Sequence, residues 1–297
     1  MDDIKDFLNY LLADRGYSRL TMQTYRSPLV SLRQFLDKNC EGVAWQHVDS
    51  DMIRNWSTSR LLDGTDKRTM RKQLSAVRSF YRYMLRTGRA TSDPARVVAN
   101  PKVGKRLPEF LKEKEMNALF DTLTYPQTFE GRRDRLLLLT LCSTGIRLAE
   151  LTGMCVESWD MDKGEIKVLG KRNKERIVPF GPELRNGFCE YQPMRLAVYG
   201  TPTGPLFIRP DKKALRPDEV RSIVKSHISA VSTIRKRTPH VLRHTFATVM
   251  FNHGADIRAV QELLGHENMA TTEIYTHVSI TDLKAQYAKA HPRAEKE

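Results

Sequence analysis

Apolar residues return at every third or fourth position through the first third of the chain. Ile4, Phe7, Leu8, Leu11 and Leu12 keep the spacing of one helical face. A second helix is predicted after Ser18, through Tyr25, Leu29, Leu32 and Phe35–Leu36, with Pro28 as a point of kinking. Asp49 or Ser50 is placed to cap a third, through Ile53 and Trp56. A fourth is predicted from about Thr65 to Leu85, with Met70, Leu74, Val77, Tyr81 and Met84–Leu85 on its apolar side. Between Thr91 and Pro108 the period fails. Pro94, Pro101 and Pro108 interrupt any helix there, and Gly104–Lys105–Arg106 is small and basic, which reads as an interdomain linker. Helices resume over 112–122 and 131–143. A hairpin is predicted from Glu165–Leu169 and Arg176–Phe180 around a polar loop, and helix again after Pro182. The pattern predicts a mainly α chain: a helical domain over 1–90, a linker over 91–108, and a mixed α/β domain with a small antiparallel sheet over 109–297, ending in a tail from about 280.

Composition narrows what such a chain can be. Of its 297 residues 40% are hydrophobic and 28% charged, enough to bury sizeable cores in about two domains. The longest candidate span, Leu136–Cys142, is far shorter than the roughly 18 apolar residues that cross a bilayer. The first residues, Met-Asp-Asp-Ile-Lys-Asp, lack the apolar core of a signal peptide. Cys40, Cys142, Cys155 and Cys189 lie far apart and form no CxxC, which reads as reduced thiols in a cytoplasmic, nucleoid-associated protein. The formal net charge of +14 predicts a polyanionic partner, either nucleic acid or an acidic membrane surface. Met1 to Arg106 carries 20 Lys and Arg against 11 Asp and Glu, whereas the remaining residues carry 29 against 24. Between Lys67 and Arg89 there is no acidic residue. Lys67, Arg68, Arg71, Lys72 and Arg78 on the fourth helix are therefore candidate DNA contacts, beside the ordinary reading of a solvated face.

The C-terminal stretch carries the most chemistry. Thr238-Pro239-His240 reads as a helix start, and His240 and Arg243, three apart, share a face. Gly254 and Gly265 are placed to end successive helices. His266 follows the second stop directly, and Tyr275 comes nine residues on. Five histidines (His240, His244, His253, His266, His277) fall close together, but His240 and His244 enclose Val-Leu-Arg with no Glu after the first, so HExxH fails. Neither a metal nor any other cofactor is expected. Gly164 to Lys171 fails as a phosphate loop, having five residues between the glycines and Arg172 where Ser or Thr belongs. Ile257–Gly265, followed by Thr271–Thr272, has the spacing of a helix-turn-helix. Local pattern alone leaves open a non-catalytic DNA-binding regulator.

Taken together, five blocks resemble the tyrosine recombinase (phage integrase) family, and within it the Xer subgroup. They are Ser143-Thr-Gly-Ile-Arg147-Leu-Ala-Glu150, Gly170-Lys171-Arg172-Asn-Lys174-Glu-Arg176, His240-Val-Leu-Arg243-His244, Leu263-Leu-Gly-His266, and Thr271-Thr-Glu-Ile-Tyr275. They stand in the family's order and at comparable spacing. Thr24–Tyr25 and Arg78-Ser-Phe-Tyr-Arg-Tyr83 resemble its SAM-like core-binding domain.

The resemblance implies a catalytic set of Arg147, Lys171, His240, Arg243, His266 and the nucleophile Tyr275. Glu150 would orient Arg147, and Arg172 and Lys174 on the hairpin would contact DNA. It implies site-specific cleavage and rejoining of double-stranded DNA through a 3′-phosphotyrosyl link, in chromosome dimer resolution or in integration of a mobile element. A tetramer on two DNA sites is implied too, with room for a second related recombinase and an activating partner protein, and no membrane. The tail would dock in a neighbouring subunit, the alternatives being that it packs on its own subunit or is disordered.

Overall fold

The computed structural model describes residues 2–17, 19–104, 109–170, 174–265 and 279–294. The chain divides into two compact units, Met1–Arg106 and Leu107–Glu297.

The first unit is helical: α1 (Asp2–Ala13), α2 (Arg19–Asn39), a 3-10 turn (Trp45–His47), α3 (Ser50–Leu62) and α4 (Lys67–Arg86). Caps fix the helix starts. Asp49 accepts hydrogen bonds from the amides of Asp51 and Met52 at 2.8 Å each, and Asp66 from those of Arg68 and Thr69. Pro28 lies inside α2, and Gly64, at φ +87°, turns the chain between α3 and α4. The apolar faces read from the sequence meet in one core of Phe7, Leu29, Leu32, Ile53, Trp56, Leu74, Val77 and Phe80. Phe80 packs edge-on against Phe7 and Trp45, with ring centroids 5.5 and 4.9 Å apart.

The proline-broken segment does not leave this unit at once. Ala90, Ala95 and Val98 are buried in the same core. Arg78 holds the segment, donating from Nε to Ala95 O, from Nη2 to Val98 O and from Nη1 to Asn100 Oδ1, at 2.7–3.0 Å. Prolines break the helix, but carbonyls freed of helical partners still need donors, and a guanidinium supplies three.

The second unit comprises α5 (Glu113–Asn117) running into a π-helical turn (Ala118–Thr122), α6 (Phe129–Thr144), α7 (Leu148–Thr152), β1 (Trp159–Asp160), β2 (Glu165–Leu169), β3 (Glu175–Pro179), α8 (Pro182–Tyr199), α9 (Pro217–Val231), α10 (Pro239–Asn252), α11 (Ile257–Leu264) and α12 (Ile280–Ala290). Helix α6 is its axis, packed between α8 and α10, with every residue from Leu136 to Thr144 buried. The apolar run that was too short for a membrane is therefore a core helix. The sheet is antiparallel in the order β1-β2-β3, with Ile166 opposite Val178 and Val168 opposite Arg176. Directly opposed residues point to one face, so Arg176 shares the buried face of Ile166, Val168 and Val178.

Residues 280–294 pack on their own unit. Leu283, Tyr287, Ala290 and Ala294 join its core. Arg293 forks onto Glu183 at 2.7 and 2.8 Å and onto Asp121 at 3.0 Å, while His291 Nε2 lies 3.3 Å from Cys142 O. The tail passes so close over Gly181 that a Cβ there would collide with the backbone of Ala294.

Candidate active site

Helix α6 ends at Gly145, at φ +60°, where a side chain would be strained. Space also excludes one: a Cβ would stand 2.5 Å from Phe246 Cδ1 and 2.8 Å from Leu264 Cδ2. The turn delivers Arg147 to the start of α7. Glu150, three residues on, accepts from the Arg147 amide at 2.7 Å and from its Nη1 at 2.8 Å. A further Arg147 nitrogen, Nη2, donates to Gly265 O at 2.6 Å.

Arg243, one helical turn past His240 on α10, reaches the same place from the other side. Its Nη1 donates to Gly145 O and its Nη2 to Leu264 O, both at 2.7 Å. Gly265 ends α11 at φ +64°, so the carbonyls of Leu264 and Gly265 lie at the end of a helix whose dipole favours cations. Two helix ends, of α6 and α11, thus aim carbonyls at two guanidiniums. Burial, and then the neighbouring Arg147, pull the Arg243 pKa down to about 10, which still leaves it charged at neutral pH.

A third guanidinium completes the cluster. Arg176 forks onto Glu150 with Nη1 and Nη2 at 2.9 and 2.8 Å, and its Nε donates to Leu263 O at 2.8 Å. Burial by itself would push the Glu150 pKa up. The hydrogen bonds from Arg176 and Arg147 outweigh it and hold the carboxyl below its ordinary value. Glu150 is therefore an anion facing three cations. Its side chain is 4% exposed, while that of Arg147 is 35% exposed. Among the described residues the cluster carries two uncompensated positive charges at an open face, the electrostatics of an oxyanion site.

His240 is exposed in the first turn of α10, with Pro239 before it and Thr238 at the cap position without a side-chain bond. The structure therefore brings Arg147, Glu150 and Arg243 into one hydrogen-bonded cluster and sets His240 one turn from Arg243. Lys171, Arg172, His266 and Tyr275 lie outside the described residues. Lys174 is exposed at the hairpin, its carbonyl accepting from the Gly170 amide at 2.7 Å. On α4, Lys67, Arg68, Arg71 and Lys72 are exposed and in no ion pair among the described residues. Arg78 instead has its guanidinium on the 95–100 segment. Sequence reasoning gave Arg176 no role. The available signal was its parity with Val178, which puts a charge on the inward face of a strand.

The Phage integrase family is matched over residues 109–281, and the phage integrase N-terminal SAM-like domain over residues 4–88. The tyrosine recombinase XerC of Pelobacter propionicus is 38% identical over 295 residues, covering 99% of this chain and 96% of that protein. The XerC of Listeria monocytogenes serotype 4a is 37% identical, covering 98% and 97%. In fold, the chain resembles the XerH site-specific recombinase bound to a palindromic difH substrate, with a TM-score of 0.73 at 22% identity over 92% of this chain and 81% of that one. It also resembles a lambda integrase tetramer bound to a Holliday junction, with a TM-score of 0.66 at 16% identity over 94% and 80%. No helix among the described residues is long and apolar enough to cross a membrane. Matched in both of its units and at more than a third identity along nearly its whole length, the chain belongs to the phage integrase family of tyrosine recombinases.

Proposed function

We propose that the protein cuts and rejoins duplex DNA at specific sites through a tyrosyl intermediate, in Xer-type resolution of chromosome dimers. One observation carries the chemistry: Arg147 and Arg243 are fixed by helix-end carbonyls, with a single carboxylate among the described residues to balance three guanidiniums. Guanidiniums have the planar fork that grips the nonbridging oxygens of a phosphodiester. Held in place beforehand, they stabilise the charge that grows as phosphorus becomes pentacoordinate, and they lose nothing to reorganisation.

The reaction balances on this chain's own groups. Tyr275 Oη attacks the scissile phosphorus. A phenol with a pKa near 10 is almost wholly protonated at neutral pH, so its proton passes to a base, the role of His240. The bond to the 5′ oxygen breaks, and Lys171 gives that oxygen a proton, while His266 donates a hydrogen bond to the phosphate. The products are a 3′-phosphotyrosyl link and a free 5′-hydroxyl. Attack by another 5′-hydroxyl reverses each step, and because the link conserves the bond energy, no nucleotide is consumed.

The described exposed cations Lys67, Arg68, Arg71, Lys72 and Lys174 would hold the duplex, joined by Arg172. Exchange of two strands between two sites needs four such centres, hence a tetramer, with a second related recombinase and an activating protein as further partners. The lambda integrase tetramer on a Holliday junction supports that stoichiometry through fold alone. The helix-turn-helix regulator is disfavoured because both units match the phage integrase family. Integration of a mobile element would use the same residues, and the strong likeness to XerC proteins favours the chromosomal role.

The test is covalent capture. Incubated with a nicked suicide site in EDTA, the protein is expected to form an SDS-resistant DNA adduct that Tyr275→Phe cannot form. Absence of an adduct on the cognate site, with any partner recombinase present, would overturn the proposal. An adduct persisting in Tyr275→Phe would refute the nucleophile.

A further inference from the structure

One side chain joins the β2–β3 hairpin to the arginine cluster, and the reaction scheme leaves it without a role. Arg176 points inward from β3, its side chain 13% exposed, and makes its three hydrogen bonds in two directions: a fork onto Glu150 and a single bond to Leu263 O. The two glycines that directly precede proposed catalytic residues both lie against it. A Cβ on Gly265, the residue before His266, would stand 3.2 Å from Arg176 Nη1 and 3.3 Å from its Cδ and Cζ. A Cβ on Gly170, the residue before Lys171, would stand 3.6 Å from Arg176 Nη1 and 3.7 Å from Glu150 Oε1. Glu150 in turn forks onto Arg147 through its backbone amide and Nη1.

We propose that Arg176 is a positioning residue that sets three catalytic groups at once: Arg147 through Glu150, Lys171 through Gly170, and His266 through Leu263 O and Gly265. It touches no reacting atom, and the inference rests on the roles assigned to those three residues. The chemistry of the side chain explains why it is arginine. Only a rigid planar fork donates to a carboxylate along one edge and to a carbonyl from its Nε at the same time. A lysine would keep the charge and lose the geometry. Gly265 has the same explanation, since it leaves room for the guanidinium to pack on bare backbone. At Gly170 a Cβ would touch the guanidinium at ordinary contact distance and press on Lys174 O, 3.1 Å away, at the end of the strand that leads to Lys171. A group within the reacting assembly need move only about 1 Å to cost about a hundredfold in rate.

The deciding readout separates proton donation from the rest of the reaction. Single-turnover cleavage is measured on suicide DNA with an ordinary scissile phosphate, and on the same DNA with sulfur replacing the bridging 5′ oxygen. A thiolate leaves without a proton, so the second DNA bypasses the acid. Arg176→Lys is expected to cleave ordinary DNA about 100-fold more slowly. Sulfur should recover about tenfold of that loss, the share due to a displaced acid, and leave the share due to Arg147. A wild-type rate on ordinary DNA, or an equal loss on both DNAs, would overturn the proposal. Gly170→Ala keeps Arg176 and its ion pair and disturbs only the strand end beside Lys171, so it serves even if Arg176→Lys folds poorly. Its loss on ordinary DNA should be restored almost fully by sulfur, and a wild-type rate on ordinary DNA would count against the coupling equally. Lys171→Ala guards the assignment beneath: if sulfur fails to rescue it, the acid lies elsewhere, and that failure shows in this variant alone.

Discussion

A single hydrogen in place of a methyl at position 145 decides whether the arginine cluster exists. Gly145 takes a left-handed turn, closes α6 and offers its carbonyl to Arg243, all within contact of Phe246 and Leu264. An L side chain there meets backbone strain and two core side chains that cannot both retreat. Gly145→Ala is expected to lower unfolding stability by about 2–5 kcal/mol, the strain of a left-handed residue plus overpacking. Because the carbonyl moves with the turn, cleavage should fall further than stability explains. Urea unfolding read beside single-turnover cleavage at a temperature where the variant stays folded checks both. A variant as stable and as active as wild type would show that the turn has slack that these distances do not allow. Legibility at this scale was uneven. Spacing put His240 and Arg243 on one helix face, and Arg147 stands three residues from Glu150, but only the family resemblance joined Arg147 and Arg243, which come from different helices. Arg176 was hidden because its role depends on which carbonyls lie across from β3, a tertiary fact that strand parity only hints at.

Helix α12 and the four residues after it show how an element is latched. His291 stacks on Tyr287 at 5.0 Å between ring centroids, faces Phe246 and the Cys142 carbonyl, and takes a hydrogen bond on Nδ1 from the Arg293 amide. That bond requires an unprotonated Nδ1, so Nε2 carries the proton toward Cys142 O. Burial, reinforced by the charge of Arg293 and by His253, pulls the His291 pKa down to about 4. The unfolded imidazole takes up its proton near pH 6.5. The stabilisation is therefore complete above about pH 6.5 and is lost progressively as pH falls toward about 4. Between pH 7 and pH 5 the urea midpoint of the wild type is expected to fall more than that of His291→Gln, whose side chain stays neutral throughout. Parallel falls would remove His291 from the latch. Elements were the most legible scale overall. The helical period placed α1 to α4 and α6, proline and glycine marked most of the stops, and alternation found β2 and β3. What escaped were features set by partners distant in sequence. The two-residue β1 exists only because β2 lies beside it, and the chain from 90 to 100 stays on the first unit because Arg78 and a shared core hold it there.

At the scale of the whole molecule, a net charge of +14 has two separable effects, and salt tells them apart. Each phosphate neutralised by a cation releases counterions, so the logarithm of affinity falls with the logarithm of salt by about 0.9 per contact. Lys67, Arg71 and Lys72 are exposed on α4 and in no ion pair among the described residues, so they are free to act this way. Replacing all three by alanine should weaken binding and flatten the slope by about 3. Arg78 lies on the same helix, yet its guanidinium is already on Ala95 O, Val98 O and Asn100 Oδ1. Arg78→Ala should therefore lower the unfolding midpoint of the first unit and leave the slope nearly as it was. Arg147→Ala removes one phosphate contact, so the slope should change by about one and binding should largely survive, while adduct formation on a suicide site is abolished. Gel shifts across a salt series, with capture assays on the same preparations, give all three slopes. A slope that moves as much for Arg78→Ala as for the triple variant would mean that α4 meets DNA through its half-buried side as well. A slope unmoved in the triple variant would transfer the binding surface away from α4 altogether, leaving the helix as scaffold and its cations as an ordinary solvated face.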